Sequence, residues 1–171
     1  MHLVHVYLPG IREMRLPMNT CLIYTLTTMK TRKYSPKKYY TGLSSTAKRT
    51  RRKEIEKYGS LSSRNPRAYR GFATDVGVRT KQSNYTSKWK ARFPDATSLE
   101  EKAAVTGVPL RFIREVYNRG MAAWRTGHRP GATQQQWGYA RVHSFLMRGK
   151  TYYTADADIV ADAKHFTKWW K

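Results

Sequence analysis

Positive charge is concentrated in the middle of this chain, and this limits what the middle can fold into. The 171 residues include 33 Lys and Arg against 11 Asp and Glu, a formal net charge of +22. Residues 30–92 carry +16 of this excess, whereas residues 1–29 carry +1 and residues 93–171 carry +5. Lys and Arg are almost never fully buried unless they are paired. We therefore expect an extended basic arm followed by a folded C-terminal body.

This division predicts three regions: an N-terminal extension, strand or extended, over residues 1–29; a basic, Tyr-rich arm with one or two short helices over 30–93; and a helical domain over 94–171. Hydrophobic residues make up 40% of the chain and aromatic residues 13%, which is too much for a disordered basic tail. An ordered chain with this charge is typical of a protein that lies against an acidic surface or belongs to an assembly.

The cysteine and hydropathy patterns exclude several classes of protein. Cys21 is the only cysteine, so the chain forms neither an internal disulfide nor a multi-cysteine zinc site. No stretch approaches the roughly 18 apolar residues of a membrane span. Pro9, Gly10 and charged residues separate the apolar runs at 3–8 and 21–26, so a signal peptide is not predicted. We expect a soluble protein made and kept in a reducing compartment.

The basic arm contains a candidate helix over residues 45–58. Only Ala47, Ile55 and Tyr58 fall near one face of it, and a helix with so little apolar surface needs a partner to stay in place. Interleaved tyrosines could stack on bases or pack on protein, so both phosphate and acidic protein subunits remain candidate partners. The expected contacts to a partner or to phosphate in this arm are Lys37, Lys38, Lys48, Arg49, Arg51, Arg52 and Lys53.

The C-terminal half has clear helix boundaries. Ser98-Leu-Glu-Glu101 and Thr133-Gln-Gln-Gln136 are capping boxes, each of which opens a helix. Gly107 ends the first of these helices and Pro109 begins the next. A last helix is predicted from near Asp156 to Trp169-Trp170. The sequence therefore predicts a mainly α fold, in which the basic arm precedes a small helical C-terminal body.

The segment 102–117 resembles a helix-turn-helix hairpin. In that motif Arg111, Arg114 and Asn118 would project from the second helix and could read a major groove. Lys102 and Thr106 depart from the pattern, because the motif has apolar residues at these places. An ordinary helical hairpin that packs into a core is the favoured alternative.

A second candidate site precedes the Thr133 capping box. Arg125, His128 and Arg129 lie just before a helix whose free N–H groups attract phosphate or carboxylate. Alternatively, these side chains stabilise a rigid turn by binding neighbouring carbonyls or a partner's acidic groups. The sequence leaves both interpretations open.

No pattern indicates catalysis. Asp156, Asp158 and Asp162 are better explained as negative charge at a helix N-terminus than as metal ligands. The five histidines lie far apart, with no cysteine or carboxylate at ligand spacing. We find no nucleophile elbow and no phosphate-binding glycine loop. The sequence therefore predicts a protein that is not an enzyme, with no catalytic residues, no cofactor and no metal.

Four segments within residues 30–160 carry a family resemblance: Tyr34-Ser-Pro-Lys-Lys-Tyr-Tyr-Thr-Gly-Leu43, Thr106-Gly-Val-Pro109, Arg119-Gly-Met-Ala-Ala-Trp124 and Trp137-Gly-Tyr-Ala-Arg-Val142. Together they resemble an uncharacterised basic domain that recurs in nucleocytoplasmic large DNA viruses of algae and amoebae. The stretch from Arg119 to Lys150 is the most specific part. The resemblance implies a viral origin and brings no catalytic residue.

Charge and resemblance together predict a structural virion protein. It would be a minor capsid or cementing component on the inner face of an icosahedral capsid, made in the host cytoplasm or nucleus. Its partners would be major and other minor capsid proteins, and viral double-stranded DNA. The alternative is a DNA-binding or genome-packaging protein that uses the 98–119 hairpin and the basic arm. Five aromatic anchors would be buried in neighbouring subunits: Trp89, Trp124, Trp137, Trp169 and Trp170.

Overall fold

Helices α4 and α5 lie side by side at the centre of the molecule. The computed structural model describes residues 35–171, and this range contains helices and turns but no β-strand, so the predicted mainly α fold is confirmed. The predicted extension over 1–29, with Cys21, and the first residues of the arm lie outside the described residues. The helices are α1 (Ser45–Gly59), α2 (Asn84–Arg92), α3 (Leu99–Thr106), α4 (Leu110–Trp124), α5 (Gln134–Leu146), α6 (Lys150–Tyr153) and α7 (Ala157–Ala163).

Two glycines set the spacing between α4 and α5. A Cβ atom added at Gly120 would lie 2.8 Å from the Cα of Gly138. A Cβ atom added at Gly138 would lie 2.7 Å from the Tyr117 ring. Both distances are well below the ~3.5 Å of an ordinary carbon–carbon contact. The two helices can therefore approach this closely only because both positions lack a side chain.

The core is built from the facing sides of these two helices. Ile113 and Val116 of α4 and Val142 and Phe145 of α5 are fully buried. The C-terminal Trp170 ring packs edge-on against Phe145, with the centroids 5.1 Å apart. Helix α7 covers the same core with Ile159, Val160 and Ala163. It ends at Ala163, so the predicted last helix is shorter than expected and does not reach Trp169-Trp170.

Both predicted capping boxes are present. The Ser98 hydroxyl accepts from the Glu101 N–H at 3.1 Å, and a Glu101 carboxylate oxygen accepts from the Ser98 N–H at 2.8 Å. Thr133 and Gln136 make the same reciprocal pair at the start of α5. Gly107 ends α3 with φ of +64°, a conformation that glycine adopts without strain. Local sequence chemistry therefore sets these helix ends.

Lys102 and Thr106 are buried although both are polar. The Lys102 ammonium donates to the carbonyl oxygens of Ala96, Thr97 and Ser98 at 2.6–3.2 Å. The Thr106 hydroxyl donates to the Lys102 carbonyl at 2.6 Å. A buried polar group costs little when it is hydrogen-bonded. These residues therefore fill positions inside the α3–α4 hairpin without leaving a polar atom unpaired.

Helix α2 packs into the body, although its sequence falls within the predicted arm. Trp89 is 1% exposed and lies in the same core as the residues of α4 and α5. Its indole N–H donates to the Ala96 carbonyl at 3.0 Å. The described residues form one compact unit, so the predicted boundary at residue 93 does not separate two bodies.

Three of the five tryptophans expected as anchors in neighbouring subunits are core residues instead. Trp89, Trp124 and Trp170 are at most 6% exposed. The Trp124 indole N–H donates to the Ala132 carbonyl at 2.7 Å and that of Trp170 to the Leu146 carbonyl at 3.2 Å. Each ring is therefore already packed and hydrogen-bonded within its own chain. Among the described helices, none is long and apolar enough to span a membrane.

Candidate functional site

Arg51 attaches the basic helix α1 to the body. Its side chain is 0% exposed, and it donates to the Asp75 carboxylate at 2.6 Å, to the Thr74 hydroxyl at 3.0 Å and to the His128 carbonyl at 2.8 Å. The guanidinium carbon also lies 4.5 Å from the centre of the Phe72 ring. The prediction that Arg51 contacts a partner is wrong, because the side chain is fully buried and its two terminal nitrogens donate to acceptors of its own chain.

Asp75 and His128 complete this buried junction. The His128 ring is 0% exposed, its Nε2 lies 2.7 Å from the Asp75 carboxylate and its Nδ1 lies 2.8 Å from the Trp124 carbonyl. Burial raises the pKa of Asp75, but hydrogen bonds from His128 and the Gly131 N–H outweigh it and hold that pKa below its usual value. His128 was also expected to contact a partner, and its burial contradicts that expectation.

Arg125 and Arg129 tie the turn after α4 to the basic segment. Arg125 donates to the carbonyls of Gly59 and Leu61 at 3.1 and 2.7 Å, and Arg129 donates to the Lys81 carbonyl at 3.0 Å. Of the two interpretations left open by the sequence, the geometry matches the binding of neighbouring carbonyls. These arginines stabilise the packing of the segment that carries the surface charge.

The side of α1 that faces away from the body is exposed and strongly basic. Lys48, Arg49, Arg52 and Lys53 are all exposed there. Like charges four residues apart on a helix repel, and this cost falls when an anion lies across them. Glu54, in contrast, accepts from the backbone N–H of Ala73 at 2.6 Å and so belongs to the attachment of α1.

The segment after α1 extends this positive face. Its short 3₁₀ turn, Pro66–Tyr69, packs against α1 through Ala68, which is fully buried. Three exposed arginines of this segment, Arg64, Arg67 and Arg70, were not among the contacts expected from the sequence. The glycines and serines of residues 59–79 indicated only a loop. We call the exposed cations of both segments the basic surface: Lys48, Arg49, Arg52, Lys53, Lys57, Arg64, Arg67 and Arg70.

Comparison with known proteins places the chain in a family. Residues 36–162 match a family of unknown function, DUF5824. The chain belongs to DUF5824. No curated protein and no solved structure matches it. The matched residues run from the start of the basic segment almost to the end of α7, so the basic surface and its buried attachment both lie within the DUF5824 domain.

A separate group of cations meets beside α5 of the DUF5824 domain. The Lys38 amine lies 5.1 Å from the centre of the Trp137 ring. Partial burial lowers the pKa of Lys38, and the nearby charges of Arg129 and Lys150 lower it further. Lys37, next in the chain, is exposed. Lys38 is exposed as well, so its amine is accessible to an anion, although the neighbouring side chains are also positive.

The three residues expected to read DNA do share one side of α4 in the DUF5824 domain. Arg111, Arg114 and Asn118 are all exposed. Arg114 pairs with the Glu100 carboxylate at 2.8 Å, and the Arg111 guanidinium lies 4.5 Å from the centre of the Phe166 ring. Two of the three are thus engaged with their own chain. Across residues 35–171, no group of three His, Cys, Asp or Glu is placed to hold a metal ion.

Proposed function

We propose that this DUF5824 domain is a non-catalytic protein that binds duplex DNA through the phosphates, using the basic surface. The observation that supports it most is the arrangement of α1. One arginine, Arg51, is buried and holds the helix in place, while its cationic neighbours project outward. Phosphate neutralisation needs closely spaced Lys and Arg with access to the duplex backbone.

The proposed binding does not depend on base sequence. Arg114 is paired with Glu100, and Arg111 lies over an aromatic ring, so neither presents an unengaged guanidinium to a base edge. Bidentate pairing with guanine is the commonest specific contact that arginine makes in the major groove. Contacts to phosphate position a protein on the duplex without carrying sequence information.

The test is binding of the purified protein to two duplexes of unrelated sequence over a range of salt concentration. Both should bind with similar affinity, and the logarithm of the binding constant should fall steeply with the logarithm of salt concentration. The variant Arg52→Gln/Lys53→Gln should weaken binding to both duplexes and flatten the salt dependence.

The matched control is Lys168→Gln/Lys171→Gln, which removes the same charge from exposed positions outside the basic surface. It should change affinity much less. Equal losses for the two double variants would contradict a localised surface. Absence of duplex binding at low salt would refute the proposed function.

A second candidate function is that of a structural virion protein, a minor capsid or cementing component that contacts capsid subunits on the inner face of a large DNA virus. One observation favours a protein partner: Phe166 is 58% exposed beside Arg111. Exposed aromatic residues and arginine are common anchors of protein interfaces. The basic surface of the same protein could then meet the packaged genome.

The test of this second function is the disruption of virus particles that contain the chain, in graded salt and chaotrope. The protein should stay with the shell after the DNA is released, and release with the DNA would count against it. Phe166→Ser should weaken binding to capsid protein and leave duplex binding unchanged. Val76→Ser, at a position 83% exposed, is the control and should change neither.

A further inference from the structure

A cavity of about 460 Å³ lies between α6, α7 and the C-terminal Trp170. Its floor is aromatic and aliphatic, formed by Tyr152, Val160 and Trp170, each at most 7% exposed. The Tyr152 and Trp170 rings meet edge to face with their centroids 5.4 Å apart, so the floor is already packed. The cavity is open to solvent, and ligand cavities are commonly of this size.

The rim of this cavity combines an aromatic ring with two cations. Tyr153 is 66% exposed, and its ring lies 4.8 Å from that of Tyr152. The Lys164 ammonium lies 5.6 Å from the centre of the Tyr152 ring. Arg148 is exposed on the same rim, and no acidic residue is among the described residues that line the cavity.

Arg148 occupies a backbone conformation that arginine adopts at a cost. Its φ is +48°, in the left-handed region that favours glycine, at the turn after α5. The next residue, Gly149, has no room for a side chain, because a Cβ there would lie 2.5 Å from the Ser144 hydroxyl. Glycine at position 148 would relieve this strain.

We infer that this cavity binds a nucleoside phosphate. The base would pack against the exposed ring of Tyr153, and Arg148 and Lys164 would bind the phosphate. A purely apolar ligand would leave both cations unused, and an inorganic anion would leave the Tyr153 ring uncovered. None of these residues belongs to the basic surface, so the inference goes beyond the proposed function.

The experiment is calorimetric titration of the full chain with adenosine monophosphate, adenosine and inorganic phosphate. The nucleotide should bind more tightly than either part alone. Tyr153→Ala should weaken nucleotide binding about fivefold or more, which is the range found when a base loses its aromatic partner. Lys164→Gln should also weaken it, whereas Lys168→Gln, an exposed lysine that does not line the cavity, should not.

Arg148→Gly separates binding from folding. It should raise the melting temperature, because the strain is relieved, and at the same time weaken nucleotide binding. A rise in melting temperature with unchanged nucleotide affinity would overturn the inference, as would equal affinity for phosphate and nucleotide.

A single-stranded oligonucleotide with a 5′-phosphate distinguishes the two sources of the ligand. Because the basic surface would bind any strand, the comparison is with the same oligonucleotide lacking the 5′-phosphate. Tighter binding of the phosphorylated strand, lost in Tyr153→Ala, would identify a strand end, and equal binding of the two strands together with binding of the mononucleotide would identify a free nucleotide. Failure of the mononucleotide to bind, with equal binding of the two strands, overturns the inference. Arg52→Gln/Lys53→Gln should retain nucleotide binding, so a failure of the proposed DNA function would leave this inference standing.

Discussion

The guanidinium of Arg51 and the carboxylate of Asp75 lie 2.6 Å apart inside the molecule, with the arginine side chain 0% exposed. This ion pair joins the most basic helix to a turn 24 residues further along the chain. His128 reaches the same carboxylate from the turn after α4. One carboxylate thus holds together three separate parts of the chain.

Loss of the Arg51 side chain should therefore destabilise the fold. Arg51→Met removes three hydrogen bonds and leaves the Asp75 carboxylate, which is 18% exposed, without one of its partners, so we expect a loss of about 2 kcal/mol or more. The measurement is the free energy of unfolding in urea. Arg52→Met is the matched control, since Arg52 is exposed and its replacement should change stability by about 0.5 kcal/mol or less. If the two variants lowered the free energy of unfolding equally, the conclusion that Arg51 holds α1 on the body would be wrong.

The second prediction concerns pH and His143. This residue is 4% exposed, and its Nε2 has no hydrogen-bond partner within the described part of the chain. Burial, with the charges of Lys102 and Lys90, lowers the pKa of His143 to about 3. In the unfolded chain the pKa of a histidine is about 6.5. Between the pKa of His143 in the folded chain and this value, the unfolded chain therefore binds more protons than the folded chain.

Stability should therefore fall by about 1 kcal/mol for each pH unit as the pH drops through this window. His143→Gln should reduce that slope, whatever it does to stability at neutral pH. Urea unfolding at several pH values measures both quantities. A slope that is unchanged in the variant would show that another group titrates in this range.

A third prediction tests the close approach of α4 and α5. In Gly120→Ala the new methyl group would lie 2.8 Å from backbone of the facing helix, so the helices must separate. We expect a loss of about 2 kcal/mol or more, even though alanine favours the helix. Gly77→Ala is the comparison, because that glycine has φ of +73° and open space around it and should cost only about 1 kcal/mol. Thermal unfolding distinguishes the two.

The fourth prediction tests whether α4 reads bases. Arg111→Ala and Arg114→Ala should each change affinity little, and by the same factor for any duplex, because both residues lie outside the basic surface and neither reads a base. A loss confined to one sequence would instead support readout by α4. Stability should change little for Arg114→Ala, since both members of its ion pair are more than half exposed.

Sequence patterns predicted the helical body well where the information is local. The capping boxes at Ser98 and Thr133 and the left-handed Gly107 depend on neighbours within four residues, and all three lie where the pattern places them. The core position of Trp89 could be predicted only in part. The spacing of Tyr85, Trp89 and Phe93 places Trp89 on the aromatic side of a short helix. Only packing against distant elements shows that this side is buried in its own chain and not in a neighbouring subunit.

The sequence predicted that the arm is densely basic, but it did not predict which of its cations are exposed. Seven cations of the arm were treated alike, yet Arg51 is buried and Lys48, Arg49, Arg52 and Lys53 are exposed. What distinguishes Arg51 is a set of acceptors at Thr74, Asp75 and His128, up to 77 residues away. The helical period does place Arg51 on the side of Ala47, Ile55 and Tyr58, but it does not identify the distant acceptors that allow an arginine to be buried there.

The attachment of α1 by Arg51 also affects the thermodynamics of association. A disordered cationic tail must become ordered when it binds, and it then shows the large negative heat capacity change of coupled folding. Here the cations already stand on a folded helix, so their docking should bury little additional apolar area. Calorimetry over a range of temperature should therefore give a binding enthalpy that is nearly constant.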